Sequence, residues 1–407
     1  MRILLVTDAY PPEIRSASHL MIELAEELSA RGHSVTVLTS WPKYNLDETD
    51  AQRTFREFEN ERGIDVVRVR TLPHHNVNFV VRGLAQITMP RLFLRALRRH
   101  NNENFDAVLV YSPPLPLAKV GATLRRQTGA RFILNIQDIF PQNAIDLGVL
   151  RNRLLITWFE RMERRAYADA DVVTVHSPGN RAFLMQSGKL KDPTKLRILH
   201  NWIDVGSIRT QPSSQRFREM WGLTGKFVFL FAGVMGPSQY LETVLSVAEA
   251  LKDESDLVFL IVGDGMEKPR LQNLAQERGL KNVVFKPFVS KAAYSQLVNE
   301  VDVGMVTLSP RNRTPVVPGK ILGYMAAAKP VLAFLNRESD GHELVAEAGC
   351  GVSVHSDAPM KEIVDATRSL LARRNDLETL GSNGYSYVVE HFDKSVCVDT
   401  LELYLSH

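Results

Sequence analysis

The stretch from Thr314 to Val331, T-P-V-V-P-G-K-I-L-G-Y-M-A-A-A-K-P-V, decides the fold. Its first two prolines, Pro315 and Pro318, fix φ and donate no hydrogen bond, so the first part is predicted to be a loop. The residues from Lys320 to Ala328 are mostly good helix formers. The helix must stop before Pro330, because proline disfavours the α conformation in the residue ahead of it. The apolar residues that follow predict a short buried strand.

Lys320 stands at the start of this predicted helix. The first turn of a helix leaves backbone N–H groups free and carries partial positive charge, so a lysine is unfavourable there unless an anion binds. The placement therefore indicates a phosphate, and a phosphate beside a short helix indicates a nucleotide. The alternative is a surface lysine that happens to lie at a helix start, and this stretch alone does not decide between them.

The composition is that of a soluble two-domain protein. The chain has 407 residues, and 44% of them are hydrophobic and 23% charged. The longest uncharged run has 15 residues (227–241), fewer than the roughly 18 needed to span a membrane. Asp8 arrives too early for a signal-peptide core, and two distant cysteines give neither a disulfide framework nor zinc-ligand spacing. We therefore expect a cytoplasmic protein.

Charge is unevenly distributed along the chain. Residues 1–200 carry 28 basic and 21 acidic side chains (+7), whereas residues 201–407 carry 21 and 25 (−4). Much of the positive charge lies in the segment His74 to His100, where five arginines alternate with apolar residues. Such a basic amphipathic segment, here 79–99, can lie on an anionic membrane surface, and the alternative is a pair of ordinary domain helices. No aromatic-basic repeat is present, so we expect no nucleic-acid partner.

Both halves of the chain show the pattern of parallel α/β domains. In the first half, a strand (Arg2–Thr7), a loop, a helix and a strand (Val35–Leu38) form a βαβ unit. Open α/β sheets bind ligands at the carboxyl ends of strands. Asp138 occupies such a position after the strand Phe132–Ile136, although it could instead be a helix or turn cap. Residues Val205–Thr224 are predicted to be the linker between the halves.

In the second half, two strands each end in a glycine-rich turn. Phe227–Ala232 is followed by Gly233-Val234-Met235-Gly236, and Leu257–Val262 by Gly263-Asp264-Gly265. Glycines allow the backbone to approach a phosphate closely. Together with the helix start at Lys320, the two turns predict a nucleotide site in the second domain.

The order of these motifs resembles the retaining glycosyltransferases of family 4, especially bacterial enzymes that build lipopolysaccharide, capsule and exopolysaccharide. The resemblance covers nearly the whole chain. It is carried by Y-P-P-E-I at Tyr10, Q-D-I-F-P at Gln137, H-N-W-I-D at His200, V-G-D-G at Val262 and the stretch quoted above. It implies an α/β GT-B fold, in which two Rossmann-like βαβ domains face each other across a cleft.

The resemblance also implies how the domains divide the work. Residues 1–204 would bind the acceptor, a saccharide or a lipid-diphosphate-linked sugar at the inner face of the membrane. Residues 205–387 would bind a nucleotide-sugar, usually a UDP-sugar, and a final helix at about 388–407 would rejoin the first domain. The nucleotide-sugar is a substrate, and neither a cofactor nor a metal is expected.

Two sets of site residues follow from the resemblance. The donor site would contain Gly233, Gly236, Gly263, Asp264, Gly265, Phe288, Pro318, Gly319, Lys320, Ile321 and Gly323. The acceptor site would contain Glu13, Arg15, Ser16, Tyr111 and Ser112. Asp138 and Lys320 would be catalytic: Lys320 faces the charge that develops on the leaving diphosphate, and Asp138 matches a family position facing the cleft.

Three features of the sequence depart from the family pattern. The family's usual glutamate pair falls at Pro315 and Gly323, and the second of these normally contacts the ribose. Pro237-Ser238-Gln239 replaces the basic residue of the phosphate turn, and Arg15 stands where glycine is usual. A lost carboxylate contact costs roughly 1.5–3 kcal/mol if nothing replaces it.

Three functions therefore remain open at this stage. The first is an active retaining glycosyltransferase whose ribose contact is made in another way. The second is a degenerate GT-B protein that binds a nucleotide-sugar or a partner enzyme without turnover. The third is a GT-B sugar-nucleotide epimerase.

Overall fold

The computed structural model describes residues 1–43, 46, 52–73, 79–100, 104–209 and 215–406, which divide into two compact units. Unit 1 contains Met1–Asn201 and Lys394–His407, and unit 2 contains Trp202–Asp393. The division falls after Asn201 rather than after residue 204. The chain returns to unit 1 at Lys394 rather than at residue 388.

Unit 1 is built, within the described residues, on an eight-stranded sheet of order β3-β4-β2-β1-β5-β6-β7-β8. The strands are β1 (Arg2–Val6), β2 (Ser34–Ser40), β3 (Phe58–Glu61), β4 (Ile64–Val69), β5 (Ala107–Ser112), β6 (Arg131–Ile136), β7 (Val172–Val175) and β8 (Leu196–Ile198). Neighbouring strands are parallel, except that β3 runs antiparallel to β4. Most of the central strand residues are buried, as expected for a parallel sheet covered on both faces.

Strand β3 corrects one prediction from the sequence. The charged sequence of the segment 45–62 predicts a partly helical stretch at the surface, but the segment contains β3. Residues 45 and 47–51 lie outside the described part of the chain. Arg62 (φ 55°) and Gly63 (φ 85°) form the tight turn between β3 and β4, with Glu61 paired to Ile64. Two consecutive positive φ angles produce the turn twist that joins antiparallel strands, so a hairpin rather than a helix forms here.

The helices of unit 1 cover both faces of this sheet. They are α1 (Ser16–Ala30), α2 (Phe79–His100), α3 (Ala118–Thr128), α4 (Gln142–Asp146), α5 (Arg153–Asp169) and α6 (Pro178–Gln186). The basic segment forms the single helix α2, with Pro90 inside it, rather than a pair of helices. Residues 74–78 of that segment lie outside the described residues. Nowhere in the described part of the chain is a helix both long and apolar enough to cross a membrane.

Unit 2 has, over its described residues, a six-stranded parallel sheet of order β11-β10-β9-β12-β13-β14. The strands are β9 (Phe227–Ala232), β10 (Leu257–Val262), β11 (Val283–Lys286), β12 (Val303–Thr307), β13 (Val331–Leu335) and β14 (Gly351–His355). The helices are α7 (Val205–Arg209), α8 (Arg216–Met220), α9 (Glu242–Ala250), α10 (Lys268–Glu277), α11 (Lys291–Asn299), α12 (Gly319–Ala326), α13 (Gly341–Glu347), α14 (Met360–Ala372) and α15 (Leu377–Phe392).

The predicted linker Val205–Thr224 is not an extended connection. It contains α7 and α8, and both pack in unit 2, where Val205, Ile208 and Phe217 belong to the hydrophobic core. Residues 210–214 lie outside the described residues. The segment is mostly polar, so these few apolar residues were not recognised as core residues from the sequence. Their burial holds α7 and α8 against unit 2.

The deciding stretch forms a loop, helix α12 and strand β13, in the predicted order. The helix ends at Ala326, earlier than predicted, because Ala328 adopts a left-handed conformation (φ 52°). Its carbonyl is closely approached by α15: a Cβ atom added to Gly381 would lie 2.0 Å from Ala328 O. The turn before Pro330 is therefore shaped by packing as well as by proline.

The last helix, α16 (Lys394–Ser406), packs in unit 1. Arg31 of α1 forms a salt bridge with Glu402 at 2.8 Å. The Tyr404 hydroxyl donates to Ile198 O at 2.8 Å, and Arg131 Nε donates to Tyr404 O at 2.6 Å. These contacts attach the end of the chain to α1, β6 and β8.

Candidate active site

The strand order of unit 2 places a crevice between β9 and β12. The chain runs outward from β9 through β10 to β11 and then crosses back to β12 on the other side of β9. Open α/β sheets bind ligands at the carboxyl ends of strands where the strand order switches in this way. The two strands pair only at Val303–Phe229 and Gly304–Leu230, and then separate. The backbone groups at the end of β9 therefore need another partner.

Tyr324 of α12 supplies that partner. Its hydroxyl donates to Leu230 O at 2.9 Å and accepts from Ala232 N at 3.3 Å. The ring fits only because residue 304 is glycine: a Cβ atom at Gly304 would lie 2.1 Å from it. These bonds fix α12 so that its first turn lies at the carboxyl end of β9.

The two glycine turns lie against each other at the same edge. Gly233 N donates to Val262 O at 2.9 Å, and Met235 N donates to Asp264 O at 2.8 Å. Gly263 (φ 140°) would place a Cβ atom 2.0 Å from Gly233 O, so alanine cannot fit without moving the backbone. This close approach explains why glycine occupies the turns, and it holds the backbone beside Lys320.

Gly263→Ala is expected to lower the free energy of unfolding by about 3 kcal/mol, through backbone strain and overlap with a carbonyl group. The measurement is the shift of the urea midpoint. Gly236→Ala is the matched control in the facing turn, since Gly236 has φ −113° and no atom within 4 Å of its added Cβ. It should change stability by less than about 0.5 kcal/mol. Equal effects of the two substitutions would contradict the proposed crowding.

Lys320 is a partly buried cation hydrogen-bonded to a neutral group. Its Nζ donates to Gln239 Oε1 at 2.8 Å and lies 5.0 Å from the centre of the Phe231 ring. Gly233 leaves room for it, because a Cβ atom there would lie 2.7 Å from the lysine Cε. Removal from water lowers the pKa of Lys320 to about 8. An ammonium group held in this way is suited to bind an anion such as a diphosphate.

Five other predicted donor residues lie in the same turns or at the head of α12. Gly236 precedes the short 3₁₀ turn that carries Gln239, and the Asp264 carboxylate accepts from Gly265 N at 2.8 Å. Pro318 is the N-cap residue of α12, and Gly319 is its exposed first residue. Ile321 N donates to Pro318 O at 3.0 Å, whereas the N–H groups of Gly319 and Lys320 precede the hydrogen bonds of the helix and can face a ligand.

The side chains of two predicted donor residues lie outside the group formed by the two glycine turns and Lys320. Ile321 needs a correction, because its side chain is fully buried in the core against α13 and its backbone N–H donates to Pro318 O at 3.0 Å. The regular apolar spacing of the helix already indicated this core role. Phe288 is 55% exposed and follows β11, the edge strand, rather than β9 or β12.

Gly323 lies one turn after Lys320 and is buried. A Cβ atom at this position would lie 3.1 Å from the hydroxyl oxygen of Tyr294, on α11. Burial raises the pKa of Tyr294, so its hydroxyl remains protonated and able to donate. Sequence reasoning missed Tyr294, because nothing local connects it to a glycine in a distant helix.

Unit 1 has a second switch in strand order, between β1 and β5, and the predicted acceptor residues gather there. Arg15 Nη1 lies 3.1 Å from Asp8 Oδ2 and 3.8 Å from Glu13 Oε2. Glu13 Oε1 accepts from Lys43 N at 2.9 Å. Asp8 was missed as a site residue, although it directly follows β1. Its Oδ1 is buried without a hydrogen-bond partner in the described part of the chain.

Tyr111 and Ser112 end β5 and are buried. Burial is the main cause of the raised pKa of Tyr111, and the negative charges of Asp138 and Asp8 raise it further. Both carboxylates therefore lie near this tyrosine. Asp138 itself is accessible to water, yet the surrounding protein raises its pKa above the ordinary value. Ser16, the first residue of α1, is exposed.

A hydrogen-bond network supports the segment that carries Asp138. His176 Nε2 lies 3.1 Å from Gln137 O, and Gln137 Oε1 accepts from Asn201 Nδ2 at 2.7 Å. Burial lowers the pKa of His176 to about 4, so this histidine is neutral near pH 7 and donates to the carbonyl group. The network fixes the backbone immediately before Asp138.

Comparison with known proteins supplies independent findings. The chain matches the family described as "Glycosyl transferase 4-like domain" over residues 21–202 and "Glycosyl transferases group 1" over residues 213–387. It is 26% identical to "Probable glycosyltransferase WbjE" of Pseudomonas aeruginosa, with 80% of this chain and 81% of the relative covered. It is 27% identical to "Putative colanic acid biosynthesis glycosyl transferase WcaI" of Escherichia coli K12, with the same coverage.

A solved structure of similar fold is HepE from Anabaena in complex with UDP. The TM-score is 0.73 at 18% sequence identity, and 100% of each chain is covered. At this identity the likeness concerns the fold alone. It confirms the predicted α/β GT-B fold.

Proposed function

Because this chain belongs to glycosyltransferase family 4, we propose that it moves a sugar from a UDP-sugar to a lipid-linked or saccharide acceptor in cell-surface polysaccharide synthesis. Membership of the family places it among retaining, nucleotide-sugar-dependent enzymes. The choice of donor, acceptor and pathway is the proposal. Its support comes from unit 2 for the donor and from unit 1 for the acceptor.

The observation that carries the proposal is the environment of Lys320. Its ammonium group lies at the head of α12, beside Gly233, and its described hydrogen bond goes to an amide oxygen rather than to a carboxylate. When the bond between the anomeric carbon and the diphosphate oxygen breaks, negative charge develops on the departing diphosphate. A cation and free backbone N–H groups positioned there stabilise this charge more strongly than that of the bound substrate.

The proposed base of the donor is uracil, supported by the UDP in the solved HepE structure. The ribose contact is proposed to come from Tyr294. A ribose attached to a diphosphate at the head of α12 reaches about one helical turn, or roughly 5 Å, along the helix, which is the distance from Lys320 to the level of Gly323. Tyr294 is partly exposed, and its hydroxyl lies beside Gly323, where a glutamate side chain would begin.

The proposed acceptor site is the cluster at the carboxyl ends of β1 and β5. Asp8 and Glu13 outnumber the cation Arg15, so the cluster keeps a carboxylate oxygen that can accept a hydrogen bond from a sugar hydroxyl group. The new bond joins that hydroxyl oxygen to the anomeric carbon, and the hydroxyl proton is released. Helix α2 supports a lipid-linked acceptor, because Arg91, Arg95, Arg98 and Arg99 are exposed along it and would attract an anionic membrane surface.

A second candidate is a protein that binds the nucleotide-sugar without turning it over. The specific observation in its favour is that positions 315 and 323 carry no carboxylate and that Gln239 stands in the phosphate turn. Both candidates predict nucleotide binding, and only the first predicts transfer.

The test is incubation with UDP-sugars and a polyprenyl-diphosphate-linked sugar, with released UDP and the lipid product measured. Release of UDP together with a new sugar on the lipid is the expected result. Tight UDP binding by calorimetry, with no release from a panel of UDP- and GDP-sugars, would instead establish the second candidate.

A further inference from the structure

Five large apolar side chains at the entry to α5 face solvent. We call Leu147, Val149, Leu154, Leu155 and Trp158 the α5 entry patch. Leu154 is 82% exposed and Val149 62%, and the other three are 39% to 42% exposed. Single exposed apolar residues are ordinary on a protein surface, but a contiguous cluster within twelve residues marks an interaction site.

The start of α5 is well formed even though its apolar side chains are exposed. The Asn152 side chain caps the helix and accepts from both Leu154 N and Leu155 N. The buried face of α5 is elsewhere, at Phe159, Glu163, Ala166 and Tyr167. Leu154 lies on the opposite side of the helix from this face, because five residues before Phe159 correspond to about 140° of rotation. The patch is therefore presented outward by a fixed backbone.

Arginines surround the apolar residues. Arg151 and Arg153 lie within the patch sequence and Arg161 one turn later, all exposed, and no acidic residue occurs from 147 to 158. Among the described residues, no carboxylate lies at ion-pair distance from Arg153 or Arg161, whereas the next two arginines are paired within the helix. Apolar residues flanked by arginines match the structure of an anionic bilayer. The leucines can reach the acyl chains, Trp158 can lie at the interface, and the arginines can contact the headgroups.

The patch lies at the edge of unit 1 that carries the acceptor cluster. The connection from β6 to α5 begins with Gln137 and Asp138 and continues through the patch, so both are part of one segment. Helix α2 reaches the same edge, since α2 and α5 both pack against the short turn Leu115–Leu117 that follows β5. The exposed apolar residues of α2, Val81, Leu84 and Ile87, lie in its first half.

We propose that the α5 entry patch inserts into the surface of an anionic membrane and, with the first half of α2, holds unit 1 there with its acceptor edge toward the lipid. The proposal rests on the proposed function for its purpose, which is access to a lipid-linked acceptor. The chemistry it requires, apolar insertion beside exposed arginines, is independent of catalysis.

The experiment measures co-sedimentation of the full chain with phosphatidylcholine vesicles, with and without phosphatidylglycerol. We expect binding that depends on phosphatidylglycerol and weakens with salt. Leu154→Ser/Trp158→Ser should weaken it at least about tenfold, because two large side chains no longer enter the bilayer. Leu403→Ser is the control, a leucine on α16 of the same unit that is also largely exposed (61%), and should bind as the wild type does.

Fluorescence gives a second, local measurement. Brominated acyl chains should quench Trp158, identified among the four tryptophans as the signal lost in Trp158→Phe. Vesicle binding equal to wild type in the double variant, or no quenching of Trp158, would overturn the proposal. So would a dimer seen by sedimentation velocity that the double variant abolishes, since a second copy would then cover the patch.

The outcome is separable from that of the proposed function. UDP binding and UDP release from a soluble donor are measured in the same variants, and both should stay at the wild-type level. Absence of UDP binding in the wild type would contradict the proposed function. The vesicle measurement would still test the membrane proposal on its own.

Discussion

Replacing Lys320 by alanine is expected to reduce kcat/KM for sugar transfer about 100- to 1000-fold, the range found when one preorganised donor to a developing anion is removed. The physical reason is that this ammonium group, hydrogen-bonded to Gln239 and beside Gly233, is proposed to bind the diphosphate. Affinity for UDP should fall more than affinity for uridine, which lacks the phosphates. Steady-state kinetics and calorimetry with the two ligands measure these effects.

The matched control is Lys329→Ala, which removes another buried lysine of unit 2. Its Nζ donates to Asn299 O at 2.9 Å, between α11 and the start of β13, away from the glycine turns. UDP affinity should be unchanged in this variant. Equal weakening of UDP and uridine in Lys320→Ala, or no weakening of either, would show that Lys320 is not a phosphate ligand.

The pH dependence provides an independent check on the same group. Burial lowers the pKa of Lys320 from 10.5 to about 8, so in the free protein the ammonium form dominates below pH 8 and is lost as pH rises through that value. The value of kcat/KM, which reports ionisation of the free enzyme, should therefore fall above about pH 8. Lys320→Arg should lack this alkaline decline, because a guanidinium group stays charged.

The overall architecture could be predicted because it depends on local patterns. Apolar strands followed by amphipathic helices occur in both halves, and the deciding stretch formed loop, helix and strand in the order that its prolines dictated. The departures arise where tertiary contacts override local preference. A hairpin turn at Arg62-Gly63 draws a charged segment into β3, and three buried apolar residues turn the predicted linker into α7 and α8.

The site was less predictable because its geometry joins residues far apart in sequence. The switch between β9 and β12 brings Lys320 to Gln239, and nothing near either residue signals the other. Asp8 could have been identified as a site residue, because it closely follows the central strand β1. The contact of Tyr294 with Gly323, in contrast, depends on how α11 packs beside α12. Ile321 was assigned to the ligand by its place in a motif, although its helical spacing already assigned it to the core.

Gly323→Glu, which restores the family's usual residue, is expected to harm the protein rather than improve it. The new Cβ atom would lie 3.1 Å from the Tyr294 hydroxyl oxygen, tight enough that the tyrosine must move. The position is buried, and the two side chains within 4 Å of the new atom, Tyr294 and Ile203, offer the carboxylate no cation. An unpaired buried charge costs about 3–5 kcal/mol, so the free energy of unfolding should fall by that amount and UDP affinity should not rise. Urea unfolding and calorimetry measure the two quantities.

The double variant Gly323→Glu/Tyr294→Leu tests whether the clash with Tyr294 causes this loss of stability. Leucine removes the hydroxyl and opens space for the glutamate, so part of the lost stability should return. The ribose contact should then pass to the carboxylate. Tyr294→Phe alone should lower the affinity for UDP about two- to tenfold, which corresponds to the loss of one neutral hydrogen bond. The affinity for a UDP analogue that lacks the contacted ribose hydroxyl should be unchanged. Tighter UDP binding by Gly323→Glu alone, or equal losses for UDP and each of its deoxyribose analogues in Tyr294→Phe, would show that Tyr294 only fills the space beside a glycine.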